Sequence, residues 1–147
     1  MRVQPLIVCR DIRASSRFYQ KLLGCQSTHS GEEYEYDRLV DPRLHRSRWG
    51  TDGLILQLHT WENDHHHGHL GDPTLPLGNG VLLWFEVDDF DEAVARAREL
   101  EVRVVLDVHR NPNAEHREFW MRDPDGYTIV LASPDGESPE RTQITVT

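Results

Sequence analysis

The sequence predicts an α+β fold in which one βαβββ module is written twice. The stretches "VQPLIVCRDIRASSRFYQKLLGC" and "GVLLWFEVDDFDEAVARARELEV" share one pattern: a short apolar run, an acid, then apolar residues at helical spacing. "TDGLILQLH" (Thr51 to His59) and "PDGYTIVLA" (Pro124 to Ala132) share a second, a glycine turn that runs into an alternating strand. At 147 residues the chain can bury one good core but not two independent ones of ordinary size.

Module one spans about 3–60. Its first strand ends near Cys9, and its helix follows Asp11 with Ile12, Phe18, Leu22 and Leu23 as the apolar stripe and Gly24 as the stop. "STHSGEEYEYDRLVDPRLHRSRW" is polar and hard to register, and the closing strand runs to His59. A linker of about 61–79, "WENDHHHGHLGDPTLPLGNG", has the Gly, Pro, Asn and Asp content of an ordered loop. The imidazoles between His65 and His69 lack a helical or strand spacing that would preorganise a metal site, so a cavity-covering loop is expected. Contact with ligand, or weak metal binding, stays open. Such a loop would gain charge near pH ~6.5.

Module two spans about 80–133. Its strand ends at Val87, and its helix opens at Asp89 with Glu92 placed for a capping box and Phe90, Ala93, Val94, Ala97 and Leu100 as the stripe. "VRVVLDVHRNPNAEHREFWMRD" reads as strand, Asn-Pro-Asn turn, strand. The tail, 134–147, ends in "QITVT", an added edge strand or a loose end.

A net charge of −9 argues against nucleic acid and leaves room for a cationic small molecule. No segment reads as a membrane span or signal peptide, so a cytoplasmic protein is expected. Cys9 and Cys25, without CxxC spacing, are expected to be buried free thiols. No Ser-His-Asp order, phosphate-cradling glycine loop or zincin helix is present, and no catalytic residue is assigned.

With "FEVDDFDEAVARA" opening the second copy and "RDPDGYTIVL" closing it, the sequence resembles the vicinal oxygen chelate superfamily from about Val3 to Ser133. That superfamily includes glyoxalase I, extradiol dioxygenases, and fosfomycin and bleomycin resistance proteins. The resemblance implies a single domain over 1–133, a curved mixed sheet around a cleft, and a homodimer. It also implies metal ligands on the first and last strand of each module. Carried over by register, those positions are Gln4 and Gln57 in module one and Leu82 and Val130 in module two. Two neutral amides and two aliphatics suit no divalent cation, so no cofactor is expected.

Period-two alternation places Trp84 and Glu86 beside Leu82, and Ile55 and His59 beside Gln57. One parity of the next strand adds His116, Glu118, Trp120 and Arg122. Together with Leu6 and Val8 this is a small-molecule wall, mostly apolar and aromatic, with polar points at Gln57, His59, Glu86 and His116. The expected function is a metal-independent protein of the bleomycin resistance type that sequesters an organic ligand or drug. One alternative is a lyase, isomerase or dioxygenase whose metal is held by His59, His116 and Glu86 or Glu118. Another is an interaction module with no small ligand.

Overall fold

The computed structural model describes residues 1–29, 35–47, 50–63 and 68–136. In chain order the elements are β1 (Leu6–Val8), α1 (Ile12–Leu23), β2 (Gln26–Ser27), β3 (Tyr36–Val40) and β4 (Leu54–His59). A short ribbon follows, β5 (Glu62–Asn63) and β6 (Gly68–His69). Then come β7 (Leu82–Glu86), α2 (Phe90–Glu99), β8 (Arg103–Asn111), β9 (His116–Arg122) and β10 (Thr128–Ala132). The βαβββ module thus forms twice, and the linker between the copies carries a ribbon that its composition does not announce.

Each module makes a four-stranded sheet in the same order, β1-β4-β3-β2 and β7-β10-β9-β8. The first and last strands of each module pair in parallel and the remaining pairs are antiparallel. The register repeats as well: Leu6 lies opposite Gln57, and Trp84 opposite Val130. Among the described residues no ladder joins the two sheets.

Both helices start at the expected acids. Asp11 accepts from the Ala14 N–H and Asp89 from the Glu92 N–H, each at 2.9 Å, satisfying donors that have no partner in the first turn. Only half of the expected capping box forms, because the Glu92 carboxylate pairs forward with Arg96 at 2.9 Å. Gly24 ends α1 in the left-handed conformation at φ 68°. Leu22, Leu39, Leu56 and Leu58 from module one join Phe90, Phe119, Met121, Ile129 and Leu131 from module two in one core. Cys9 and Cys25 are buried and free, and burial pushes each thiol up to about 12, so neither is a nucleophile at neutral pH.

The Asp-Pro-Asp-Gly turn of module two fastens the modules together. Asp125 accepts from the Arg10 N–H at 2.9 Å and the Ser15 hydroxyl at 3.1 Å, at the start of α1. Asp123 accepts from the Tyr19 hydroxyl at 2.7 Å and from the N–H groups of Asp125 and Tyr127 at 2.9 and 2.8 Å. Tyr127 donates in turn to the Val8 carbonyl at 3.0 Å. In module one, the segment between β3 and β4 carries the exposed Arg43, which bridges Asp41 and Asp88 of module two.

The two turn glycines differ in surroundings. Gly53 has φ 73°, and a Cβ there would stand 2.9 Å from both the Asp41 carbonyl oxygen and the Leu44 Cβ, whereas Gly126, at φ 98°, has open space around it. Gly53→Ala is expected to cost about 2–4 kcal/mol and Gly126→Ala about 1–2 kcal/mol, because only the first adds overlap to backbone strain. Urea unfolding of the two variants side by side checks the difference, and equal losses would contradict it.

Candidate functional site

One face of the module two sheet is an aromatic wall. Trp84 on β7 is 44% exposed, and its ring meets Trp120 edge-on at 6.4 Å and His116 at 5.8 Å. β10 supplies Val130 between them, opposite both Trp84 and Trp120. The opposite parity, Leu83 and Phe85, packs on the core with the helices, so alternation along β7 decides which side chains are presented.

Glu118, between His116 and Trp120 on the same face of β9, organises this wall from within. Its carboxylate is almost fully buried, yet Oε1 accepts from Asn111 Nδ2 and faces His116 Nε2, each at 2.7 Å. Oε2 accepts from the Trp120 indole N–H at 2.7 Å and lies 3.3 Å from His109 Nε2. His116 Nδ1 faces Asp135 at 2.7 Å. Both ring nitrogens of His116 therefore face carboxylates, an arrangement that favours the doubly protonated imidazolium.

Hydrogen bonding to Asp135 and Glu118 raises His116 above its ordinary 6.5, against the opposing effect of burial. For Glu118, burial pushes upward, but the hydrogen bonds from Asn111, Trp120 and His116 outweigh it and hold the carboxyl below its ordinary 4.5. With its lone pairs taken, Glu118 acts as a positioning residue that fixes the Trp120 indole and the His116 ring.

The same face of module one is polar. Leu6, Gln57 and Arg38 stand in one cross-strand row, with Val8, His59 and Tyr36 in the next. His59 is buried, and its Nδ1 lies 2.9 Å from the Thr60 carbonyl oxygen. Tyr36 donates to Gln57 Oε1 at 2.5 Å, and Gln57 Nε2 donates to the Gln4 carbonyl at 3.2 Å.

The nine residues singled out from sequence are thus divided: Gln4, Gln57 and His59 lie in module one, and Leu82, Trp84, Glu86, His116, Trp120 and Val130 in module two. They also border separate cavities. Gln4 lies in one of about 360 Å³ with Thr51 and Asp52, and Leu82 in one of about 920 Å³ between the segment Leu75–Val81 and Arg122. Glu86 lines a third of about 400 Å³ at the junction of the modules, with Ile55, Phe85, Asp41 and Arg43.

The four family metal positions do not fit a divalent ion: Gln57 is committed at both ends of its amide, and Leu82 and Val130 offer no donor. The alternative set is not assembled either. His116 is held between Asp135 and Glu118, and among the described residues no three His, Cys, Asp or Glu side chains converge to hold a metal. His65, His66 and His67 of the linker, and the "QITVT" end of the tail, lie outside the described residues. Sequence reasoning did not find Asn111, His109, Asp135, Tyr36 or Arg38. Alternation on β3 and β8 carries a signal for most of them, whereas nothing local marks Asp135.

The fold agrees with those of known proteins. The model of the Glyoxalase/Bleomycin resistance protein/Dioxygenase superfamily matches residues 3–131, and the chain belongs to that superfamily. Among solved structures it is similar to lactoylglutathione lyase from Agrobacterium tumefaciens, with a TM-score of 0.61 and 20% identity over 90% of this chain and 92% of that one. The fosfomycin resistance protein FosX from Listeria monocytogenes gives a TM-score of 0.59 and 13% identity, covering 93% and 95%. TioX from Micromonospora sp. ML1 gives 0.62 and 13%, covering 90% and 98%. At these identities the likeness is one of fold. A comparison with curated proteins returns no match.

Proposed function

We propose that this chain binds and sequesters a small organic molecule, such as a drug, against the aromatic wall of module two, without a metal in the family position. Trp84 supports this reading most directly: a large indole left 44% exposed, yet held edge-on by Trp120 and His116, is a preorganised contact surface. The neutral and aliphatic residues at the family metal positions suit binding better than Lewis-acid chemistry. The chain is further proposed to act as a homodimer. Support comes from the apolar side chains left exposed on β7 and β8: Leu82, Val104, Val105, Leu106 and Val108.

The test is a tryptophan-fluorescence titration with a panel of cationic, neutral and anionic aromatic compounds, run on the wild type and Trp84→Ala. At least one compound should bind saturably and lose about tenfold or more in affinity in the variant, the scale of a hot-spot aromatic. Elemental analysis of tag-free protein should find well under one equivalent of divalent metal, and sedimentation should give a dimer. A panel without hits, or hits indifferent to Trp84, would remove the binding reading. One tightly held metal would turn attention to lyase or dioxygenase chemistry.

A further inference from the structure

We propose that the sheet face of module one that carries Arg38 is a binding site for an organic anion, a carboxylate or phosphonate on an apolar body. The site begins with a directional relay. Gln57 Nε2 donates to the Gln4 carbonyl, which turns Gln57 Oε1 toward Tyr36. The Tyr36 hydroxyl spends its proton on that oxygen and so presents a lone pair, which accepts from Arg38 Nε at 3.2 Å. The guanidinium carbon also lies 6.0 Å from the centre of the Tyr36 ring. Arg38 is therefore held by Tyr36, through a hydrogen bond to Nε and through the ring.

Its two terminal nitrogens make no hydrogen bond or ion pair among the described residues. By contrast, Arg2, Arg43, Arg96, Arg98, Arg110 and Arg117 each pair with a carboxylate. Arg38 is half-buried, so its fork of N–H donors is held ready for a planar or tetrahedral anion, which a guanidinium grips in bidentate fashion. Asp37, the adjacent acid, does not answer it: its carboxylate is buried and accepts from the Ser27 hydroxyl and the Arg38 backbone N–H.

The apolar part of the site lies across the same row. Leu6 is 43% exposed at the far end, two strands from Arg38, or about 10 Å at ordinary strand spacing. Val8 lies in the next row, with Gly71 between it and the Trp61 ring; a Cβ on Gly71 would stand 2.8 Å from that ring and 3.5 Å from Val8. The linker thereby brings an aromatic ring to the apolar end. An occupant about 10 Å long, with an aryl or aliphatic body at Leu6 and an anionic head at Arg38, matches this layout.

Naphthalene-2-carboxylate, 2-naphthylphosphonate, naphthalene-2-carboxamide and naphthalene-2-carboxamidine share one body and differ in charge. Calorimetric titration of the full chain should show both anions binding more tightly than the amide and the amidine. Arg38→Gln should erase that preference, by about tenfold or more for the anion it serves, while Arg38→Lys retains part of it. Whichever of carboxylate and phosphonate binds more tightly names the head group. Tighter binding of the amidine, an anion preference that survives Arg38→Gln, or no binding of either anion at millimolar concentration would overturn the assignment. Far-ultraviolet circular dichroism and the unfolding midpoint of Arg38→Gln, expected unchanged, separate lost recognition from lost fold. Trp84→Ala is read in parallel. If it alone abolishes binding, the aromatic wall stands and the Arg38 site falls; if Arg38→Gln alone does so, the Arg38 site stands and the wall falls.

Discussion

Glu118→Ala is expected to lower stability by about 3–5 kcal/mol, roughly 10 °C in Tm for a chain of this size. The carboxylate answers the Asn111 amide, the Trp120 indole N–H and the His116 imidazolium, all at 2.7 Å, so its removal leaves a buried cation and two donors without partners. The pH dependence gives a sharper signature. Glu118 is held below 4.5, so its contribution stands in full above that value and is lost as pH falls through its folded-state pKa. His116 is held above 6.5, so its contribution stands in full below 6.5 and is lost as pH rises through its folded-state pKa. The gap in unfolding free energy between the wild type and Glu118→Gln should be widest between about pH 4.5 and 6.5 and narrow on both sides. Urea titrations across pH 4 to 9 measure it, and a gap that does not change with pH would show that the network is not charged as described.

The second large effect is expected at the turn that joins the modules. Asp123→Ala strands the Tyr19 hydroxyl and the N–H groups of Asp125 and Tyr127, and should cost about 3 kcal/mol or more. Asp123→Asn keeps an oxygen for the two backbone donors and should stay within about 1 kcal/mol of the wild type at pH 7. The sign here is opposite to that of Glu118. Burial, the largest influence, raises Asp123 above its ordinary 3.8, so its favourable share is present below 3.8 and is lost as pH rises through the folded-state pKa. The asparagine variant should therefore improve relative to the wild type as pH rises from acid to neutral. Thermal unfolding at the two extremes decides this, and a fall in its relative stability toward neutral pH would be inconsistent with a carboxylate strained by burial.

What could be read from the sequence was local. Asp11 and Asp89 announce the helix starts, and Gly53 and Gly126 the strand entries, because each acts on residues a few positions away. The wall residues Trp84 and Trp120 follow from period-two alternation, a property of single strands. Three features did not follow. The bond between Tyr19 and Asp123 spans 104 positions, and that between His116 and Asp135 joins a strand to a turn in the tail. The run "VRVVLDV" has the pattern of an interior strand, yet β8 is an edge strand with Val104, Val105, Leu106 and Val108 exposed. Alternation reports that a strand has an apolar face; sheet order alone reports whether anything covers it.

The doubled module has a consequence for how such a protein can change. A symmetric pair of single modules must carry on one wall whatever suits the other. A chain that holds both copies is released from that constraint, and here the equivalent faces have already parted, one toward indole rings at Trp84 and Trp120, the other toward a guanidinium at Arg38. On the binding roles proposed for these two faces, a substitution on either would alter half of the recognition and leave the other half, with the turn that ties the copies together, as inherited.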